Sequence, residues 1–291
     1  MTTSSMALAL CASLIWASSL VVNKWGLRYM DLVPYCVVRS AVGLALIALY
    51  GLARGSILVP NPGLAGIALA AGVMDLGIAM TLFLYALKRI PAHQAIPLAS
   101  TAPFWAVVAS IAFLGEALRW YVVVSAVLVV LGSWLLAPPA GQHRRLTPGI
   151  GAAAALGSAV LIGIADTVIA RYCITLGMSP TAFQLLIMVA GMGFWCLAFL
   201  LGGKRSISRF KDGRGLRAAI LTAFAGFFAA PILWFSALSA TPASLLAPVR
   251  SLIVVASFGL SVLFLHEKVT KRATVGALLS FIAVALVSAL G

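Results

Sequence analysis

Residues Ala86 to Glu116 read ALKRIPAHQAIPLASTAPFWAVVASIAFLGE, and residues Ala237 to Glu267 read ALSATPASLLAPVRSLIVVASFGLSVLFLHE. Shifted by 151 positions, the two stretches share ten of 31 residues without a gap. The shared residues are Ala86, Leu87, Pro91, Ala92, Pro97, Ser100, Ser110, Phe113, Leu114 and Glu116. Each copy begins as the end of one apolar helix and turns at Pro91 or Pro242. Each then runs through a second apolar helix, interrupted at Pro97 or Pro248, and stops at Glu116 or Glu267. Apolar composition alone would not hold two prolines and an acid in step, so the chain carries an internal duplication.

The rest of the composition names the solvent. The 291 residues are 63% hydrophobic and 9% charged, with a mean hydropathy of +1.12, far from a water-soluble domain. In hydrocarbon the backbone must satisfy its own hydrogen bonds, so such runs predict spanning helices of about 20 residues each. The net charge of +14 sits between apolar runs rather than on one basic face. That placement suits lipid headgroups and topology, and excludes a nucleic-acid partner. Cys11, Cys36, Cys173 and Cys196 fall within or at the edge of apolar runs without a CxxC spacing, and read as small hydrophobes. Met6 to Val22 lacks the basic start of a cleavable signal.

Ten spans are expected, five in each half. They fall near 5–27, 33–53, 64–87, 92–114, 119–136, 149–174, 180–201, 216–238, 243–265 and 273–290. The Pro-rich stretch PPAGQHRRLTP, Pro138 to Pro148, separates a first repeat (1–140) from a second (149–291), with 141–148 as linker. Homologous halves of odd span number lie in the membrane with opposite orientation. Inverted repeats with broken helices are a recurring plan of secondary transporters. The expected fold is therefore an all-α integral membrane protein of ten transmembrane helices, built as two inverted five-helix repeats. Of 20 Lys and Arg residues, Arg39 and Arg250 fall within spans. Arg54, Arg119 and Arg171 share the side of the termini, and the other fifteen share the opposite side. This bias places both termini outside the cytoplasm.

These pieces resemble the drug/metabolite transporter superfamily, in its ten-helix EamA-like branch. The resemblance covers the whole chain. It is carried by Trp16 to Lys24 (WASSLVVNK), Arg39 in the second helix, Tyr85-Ala86-Leu87 with Pro91-Ala92, Ala102-Pro103, and Leu114-Gly115-Glu116. The second half answers with Ala237-Leu238, Pro242-Ala243 and His266-Glu267, where His266 replaces the family's usual glycine. The resemblance implies a secondary transporter, commonly an exporter, of small organic metabolites in a bacterial inner membrane. The sequence has no nucleotide-binding motif, which points to a proton or counter-substrate as the driving partner, and no cofactor is expected. Whether the protein is a monomer or a homodimer is open at this stage.

A charge inside the membrane costs from about 2.5 to more than 10 kcal/mol, so each one is a candidate functional group. Asp75 lies at the centre of the third span. It reads as a proton-coupling carboxylate or a partner for a substrate ammonium. The competing reading is a structural ion pair with Arg39, or a protonated acid bonded to backbone. Gly72 and Ala79 share its helical face and are expected to leave open space beside it. Overlaying the first helices of the two halves at an offset of 147 puts Asp166 on Ser19. Gly163, Asp166 and Ala170 then repeat the face of Trp16, Ser19 and Asn23. A polar face in an apolar helix looks into a cavity, unless it is a small-residue packing seam.

Arg250, beside Pro248 and on one face with Ser257 and Ser261, is placed to clamp a carboxylate or phosphate, or else to pair with Asp166 or Asp75. Arg39 occupies a position shared across the resembling family and suits a gating or structural role. Trp16, Tyr85, Trp105 and Trp234 are candidate cavity walls or cation–π faces, against interfacial belts and core packing. Gln94, Thr101 and Trp105 share one face of the fourth helix. Pro97, Pro248, Glu116 and Glu267 read as repeated hinges and caps.

His93, His143 and His266 lie far apart, and no metalloprotease, nucleophile-elbow or nucleotide motif occurs. An intramembrane lipid-modifying enzyme, a channel, an exchanger of phosphorylated anions and a carrier of organic cations are the alternatives. The reading preferred from sequence is a secondary transporter of a small polar metabolite, such as an amino acid or related zwitterion.

Overall fold

The computed structural model of the chain describes residues 3–89, 98–136, 148–201, 213–253, 255–256, 259–260 and 271–290. Among them the regular secondary structure is helical, with no strand. Helix α1 spans Thr3–Gly26 and α2 spans Leu32–Arg54. Helix α3 (Pro62–Gly72) passes through a π-helical turn, Val73–Ala79, into α4 (Met80–Arg89). Helices α5 (Ala102–Leu114) and α6 (Trp120–Leu136) close the first repeat.

The second repeat opens with α7 (Pro148–Gly163), a π turn at Ile164–Ile169, and α8 (Ala170–Thr175). Helix α9 is Pro180–Leu201. Helix α10 (Gly213–Thr222) passes through a third π turn, Ala223–Ala229, into α11 (Ala230–Ala240). A single short turn, α12 (Ala243–Leu246), runs into a 3₁₀ stretch at Ala247–Ser251. Helix α13 is Lys271–Leu290.

Six of the described helices are long and apolar enough to cross a membrane, and Ala102–Leu114, Trp120–Gly132 and Thr274–Leu286 are shorter apolar helices. The outer faces agree with that solvent. Phe113, Leu200 and Leu201 are each more than three-quarters exposed, where hydrocarbon rather than water would cover them. The chain is an integral membrane protein.

The ends of the helices follow local rules. Asn61 accepts a hydrogen bond from the Leu64 N–H at 2.9 Å and caps α3, with Pro62 in the first turn. Helix α2 stops at Gly55, whose φ of 58° is the left-handed conformation that glycine adopts without strain. Within the fourth expected span, read as a broken helix, α5 starts at Ala102 after a turn at Ser100–Thr101, and Pro103 sits in its first turn, where no N–H is needed.

Packing joins the two halves crosswise. Helix α1 lies along α10–α11, and α7 lies along the π turn Val73–Ala79 and α4. Helix α2 packs on α9, and α6 on α13. Lipid tails are as apolar as leucine, so such helices associate by close van der Waals fit between small residues. At the α6–α13 seam, a Cβ on Gly132 would meet the Gly276 carbonyl at 2.8 Å. At the α3–α9 seam, a Cβ on Gly72 would meet the Ile187 carbonyl at 2.7 Å. Gly72 is therefore a packing contact, not open space beside Asp75. The sequence pattern could not show this, because it does not say which helix approaches a small residue.

Candidate functional site

The π turns Val73–Ala79 and Ile164–Ile169 touch, and each carries an aspartate, while the third, Ala223–Ala229, offers backbone carbonyls. A π turn bonds i to i+5, so it widens the helix and releases backbone carbonyls from the regular ladder. Asp75 and Asp166 each occupy the third position of their turn, and the two turns touch. In the third turn the carbonyls of Gly226 and Phe227 accept side-chain donors. Trp16 Nε1 donates to Gly226 at 2.9 Å, and Gln184 Nε2 donates to Phe227 at 2.7 Å.

Four of the candidates from sequence come together here. Arg250 Nη1 forms an ion pair with Asp166 Oδ2. The Arg250 guanidinium carbon lies 4.7 Å from the Trp16 ring centroid and 5.6 Å from that of Trp234. The two indoles meet edge to face at 5.8 Å. Trp234 Nε1 donates to the Asp166 carbonyl at 3.3 Å, and Thr167 Oγ1 donates to Asp166 Oδ1 at 3.1 Å. Asp166 and Trp234 are buried, while the Arg250 side chain keeps 18% of its surface open. An arginine held by a carboxylate and two aromatic faces is a fully compensated buried charge.

Beside this neutral pair lie two charges without ion-pair partners among the described residues. Arg39 stacks on Phe227 with its guanidinium carbon 3.9 Å from the ring centroid, and its buried Nε has no hydrogen-bond partner. Asp75, half-buried on its π turn, lies within electrostatic reach of Asp166, Arg250 and Arg39. Ser19 is buried against the third turn. A Cβ on Gly226 would meet Ser19 Oγ at 2.7 Å and approach Arg39 Nη2 at 3.6 Å.

Other candidates lie elsewhere. Tyr85 is exposed and stacks with Arg89 at 4.8 Å, away from the charged cluster. Thr101 and Trp105, joined by a 3.2 Å hydrogen bond from Trp105 Nε1, line a separate apolar cavity of about 340 Å³ with Leu98, Phe104, Val127, Val130, Leu131 and Leu156. Their helix packs on the π turn that carries Asp166, with Trp105 beside Gly163, yet among the described residues neither side chain bonds to the ion pair. The face expected to join Gly163, Asp166 and Ala170 is interrupted, because the π turn changes the angle per residue between Asp166 and Ala170. Pro248 is the second residue of the 3₁₀ stretch that carries Arg250.

Glu116 reaches into the other repeat. Its Oε1 accepts from the Ala243 N–H at 2.8 Å and its Oε2 from the Ser244 N–H at 2.7 Å. Gln94, Pro97, Ser257, Ser261 and Glu267 lie outside the described residues. Sequence reasoning missed Gln184, Phe227 and Gly226. Only Gly226 left a signal, since shifting Asp75 by the 151-residue repeat lands on it.

No curated protein matches the sequence. In fold the chain is similar to a solved structure titled only as the crystal structure of a protein. The TM-score is 0.85 at 20% identity, covering 100% of this chain and 98% of that one. The family model for EamA-like transporters matches residues 3–137 and again residues 149–289. With nearly its whole length matched in two tandem copies, the chain belongs to the EamA-like transporter family.

Proposed function

We propose that the protein is a secondary active exporter in a bacterial inner membrane, moving a small zwitterionic metabolite of the amino-acid class by alternating access. Ten spans in two inverted repeats, 1–140 and 149–291, are the architecture this needs. The crosswise packing supports it, since α2–α9 and α6–α13 pair equivalent helices of the two halves. Family membership supports transport rather than catalysis.

The observation that carries the substrate class is the pair of unmatched charges. With Arg250 and Asp166 neutralising one another in the empty state, Arg39 remains for a carboxylate and Asp75 for a proton or a cationic group, whether the solute's own or a displaced arginine. A neutral solute has no use for two separated, opposite, partnerless charges at membrane depth. In this reading a substrate or proton gradient drives the cycle.

The experiment is a thermal-shift screen of the purified protein against amino acids, amines and sugar phosphates, followed by counterflow in proteoliposomes. Ligands that bind the folded state raise its melting temperature by mass action. The reading expects zwitterions to shift it, and Arg39→Gln to remove that shift. A response confined to sugar phosphates would replace this substrate class with anions.

A further inference from the structure

We propose that Asp166, Trp16 and Trp234 form a receptor for the guanidinium or compact ammonium group of a solute, and that Arg250 is its tethered occupant in the empty state. The inference rests on the transporter reading and names which part of the substrate this cluster takes.

The site is built as a cation receptor before Arg250 is considered. Each indole N–H is fixed to a backbone carbonyl, Trp16 to Gly226 and Trp234 to Asp166, so both ring faces are held in place. The Asp166 carboxylate is oriented by the Thr167 hydroxyl on one oxygen, leaving the other for the cation. A carboxylate plus two pinned π faces is the recognition chemistry of an organic cation. Here that cation is the guanidinium of Arg250, at 4.7 and 5.6 Å from the rings.

Two features let the occupant leave. Arg250 is carried by the 3₁₀ stretch Ala247–Ser251 behind Pro248, where the regular α ladder is interrupted. Its side chain is 18% open, so the pair is reachable rather than sealed. The departing charge also has a destination. Asp75 feels the charge of Arg250 and has no ion pair among the described residues. Moving Arg250 onto Asp75 while a solute cation takes Asp166 leaves no buried charge uncompensated, which is the condition a one-partner salt bridge fails. Arg250 thereby stands in for the substrate in the empty carrier and competes with it at high effective concentration.

The test uses purified full-length protein and methylguanidinium as the probe, read by quenching of tryptophan fluorescence and by melting temperature. Removing the tether with Arg250→Ala should let methylguanidinium bind saturably in the millimolar range, at least about tenfold tighter than to the wild type, which must first displace its own arginine. Adding Asp166→Asn should abolish that binding, and adding Trp16→Ala should weaken it roughly tenfold. Asp75→Asn should weaken binding to the wild type several-fold yet leave binding to Arg250→Ala unchanged, because Asp75 acts only through Arg250. A folded Arg250→Ala without saturable response overturns the proposal, as does a response that survives Asp166→Asn. Should Arg250→Ala fail to fold, Arg250→Met takes its place. If neither folds, the wild type is titrated to tens of millimolar, and no Asp166-dependent quench there overturns it. None of these readouts requires transport, so a protein that exchanges amino acids but ignores methylguanidinium loses this receptor and keeps its proposed function.

Discussion

Asp75 has no ion pair among the described residues, while the Asp166 carboxylate is occupied by Arg250 and Thr167. The two acids should therefore answer substitution differently. Asp75→Asn should leave the melting temperature within a few degrees of wild type and remove the pH dependence of transport, because an acid without a partner leaves nothing stranded. Both Asp75→Asn and Asp75→Ala should weaken binding of a zwitterion or cation, the alanine more. Asp166→Asn removes the partner that Arg250 holds in the empty state and should destabilise the fold by up to about 3–5 kcal/mol, the range for breaking one side of a buried pair, less what Arg250 recovers on Asp75. Transport at two pH values and thermal melting of both variants check the contrast. Equal destabilisation by the two changes would make Asp75 structural. Gly226 is read the same way. A methyl group there would meet Ser19 Oγ at 2.7 Å, so Gly226→Ala should cost about 1–3 kcal/mol and disturb the seat of Arg39.

At the scale of elements, the irregular ones are tied down by side chains of the other half. The short α12 begins where Glu116, the last residue of the repeated stretch in the first half, accepts the N–H groups of Ala243 and Ser244 in the second half. This is a helix cap supplied across the repeat boundary, and its acceptor is charged. Close by, Ser5 and Thr241 share a hydrogen bond of 2.7 Å, and Arg171 donates to the Leu238 carbonyl. Together these bonds fasten α1, α8 and α11–α12 at one end of the molecule. Glu116→Ala should lower stability by about 1–3 kcal/mol, since two backbone donors lose their partner. Glu116→Gln should recover part of that loss. Melting of the two variants in the same detergent measures both. An unchanged melting temperature in Glu116→Ala would show that this cap does not hold the two halves together. The close seam at Gly72 predicts a further loss for Gly72→Ala, because its Cβ would meet the rigid Ile187 backbone rather than a movable side chain.

At the scale of the whole molecule the question is which end faces the cytoplasm. Fifteen of the Lys and Arg residues lie on the side opposite the termini in the ten-span reading. Gly213, at the start of α10, is exposed with nothing near its Cβ position, and Leu118, between α5 and α6, is exposed on the other side in that reading. Gly213→Cys should resist an impermeant thiol reagent in intact cells, whereas Leu118→Cys should react, each in a background with Cys11 replaced, since that cysteine is exposed. The reverse pattern would place the termini inside and overturn the charge argument. Reaction at both positions from one side would remove the odd span count and the inverted repeat with it.

The sequence by itself determined the solvent, the helical class and the duplication. Hydrocarbon forces apolar runs into helices whatever their neighbours, and a matched Pro91/Pro242, Pro97/Pro248 and Glu116/Glu267 reports shared descent without any contact. It also identified Asp75, Asp166, Arg39 and Arg250, since a charge among apolar residues needs no fold to stand out. Tertiary structure decided the rest. Which acid is paired with which arginine depends on how two π turns and a 3₁₀ stretch meet, and these irregularities have no signature in a 3.6-residue period. The same irregularity broke the expected face at Asp166. It brought in Gln184 and Phe227, whose bond is to a backbone carbonyl that only a π turn frees. Thr101 and Trp105 shared the sequence credentials of Trp16 and Trp234, yet line an apolar cavity without a charged group. Type and spacing say that a tryptophan sits in a membrane helix. The neighbouring helix alone decides what its ring faces.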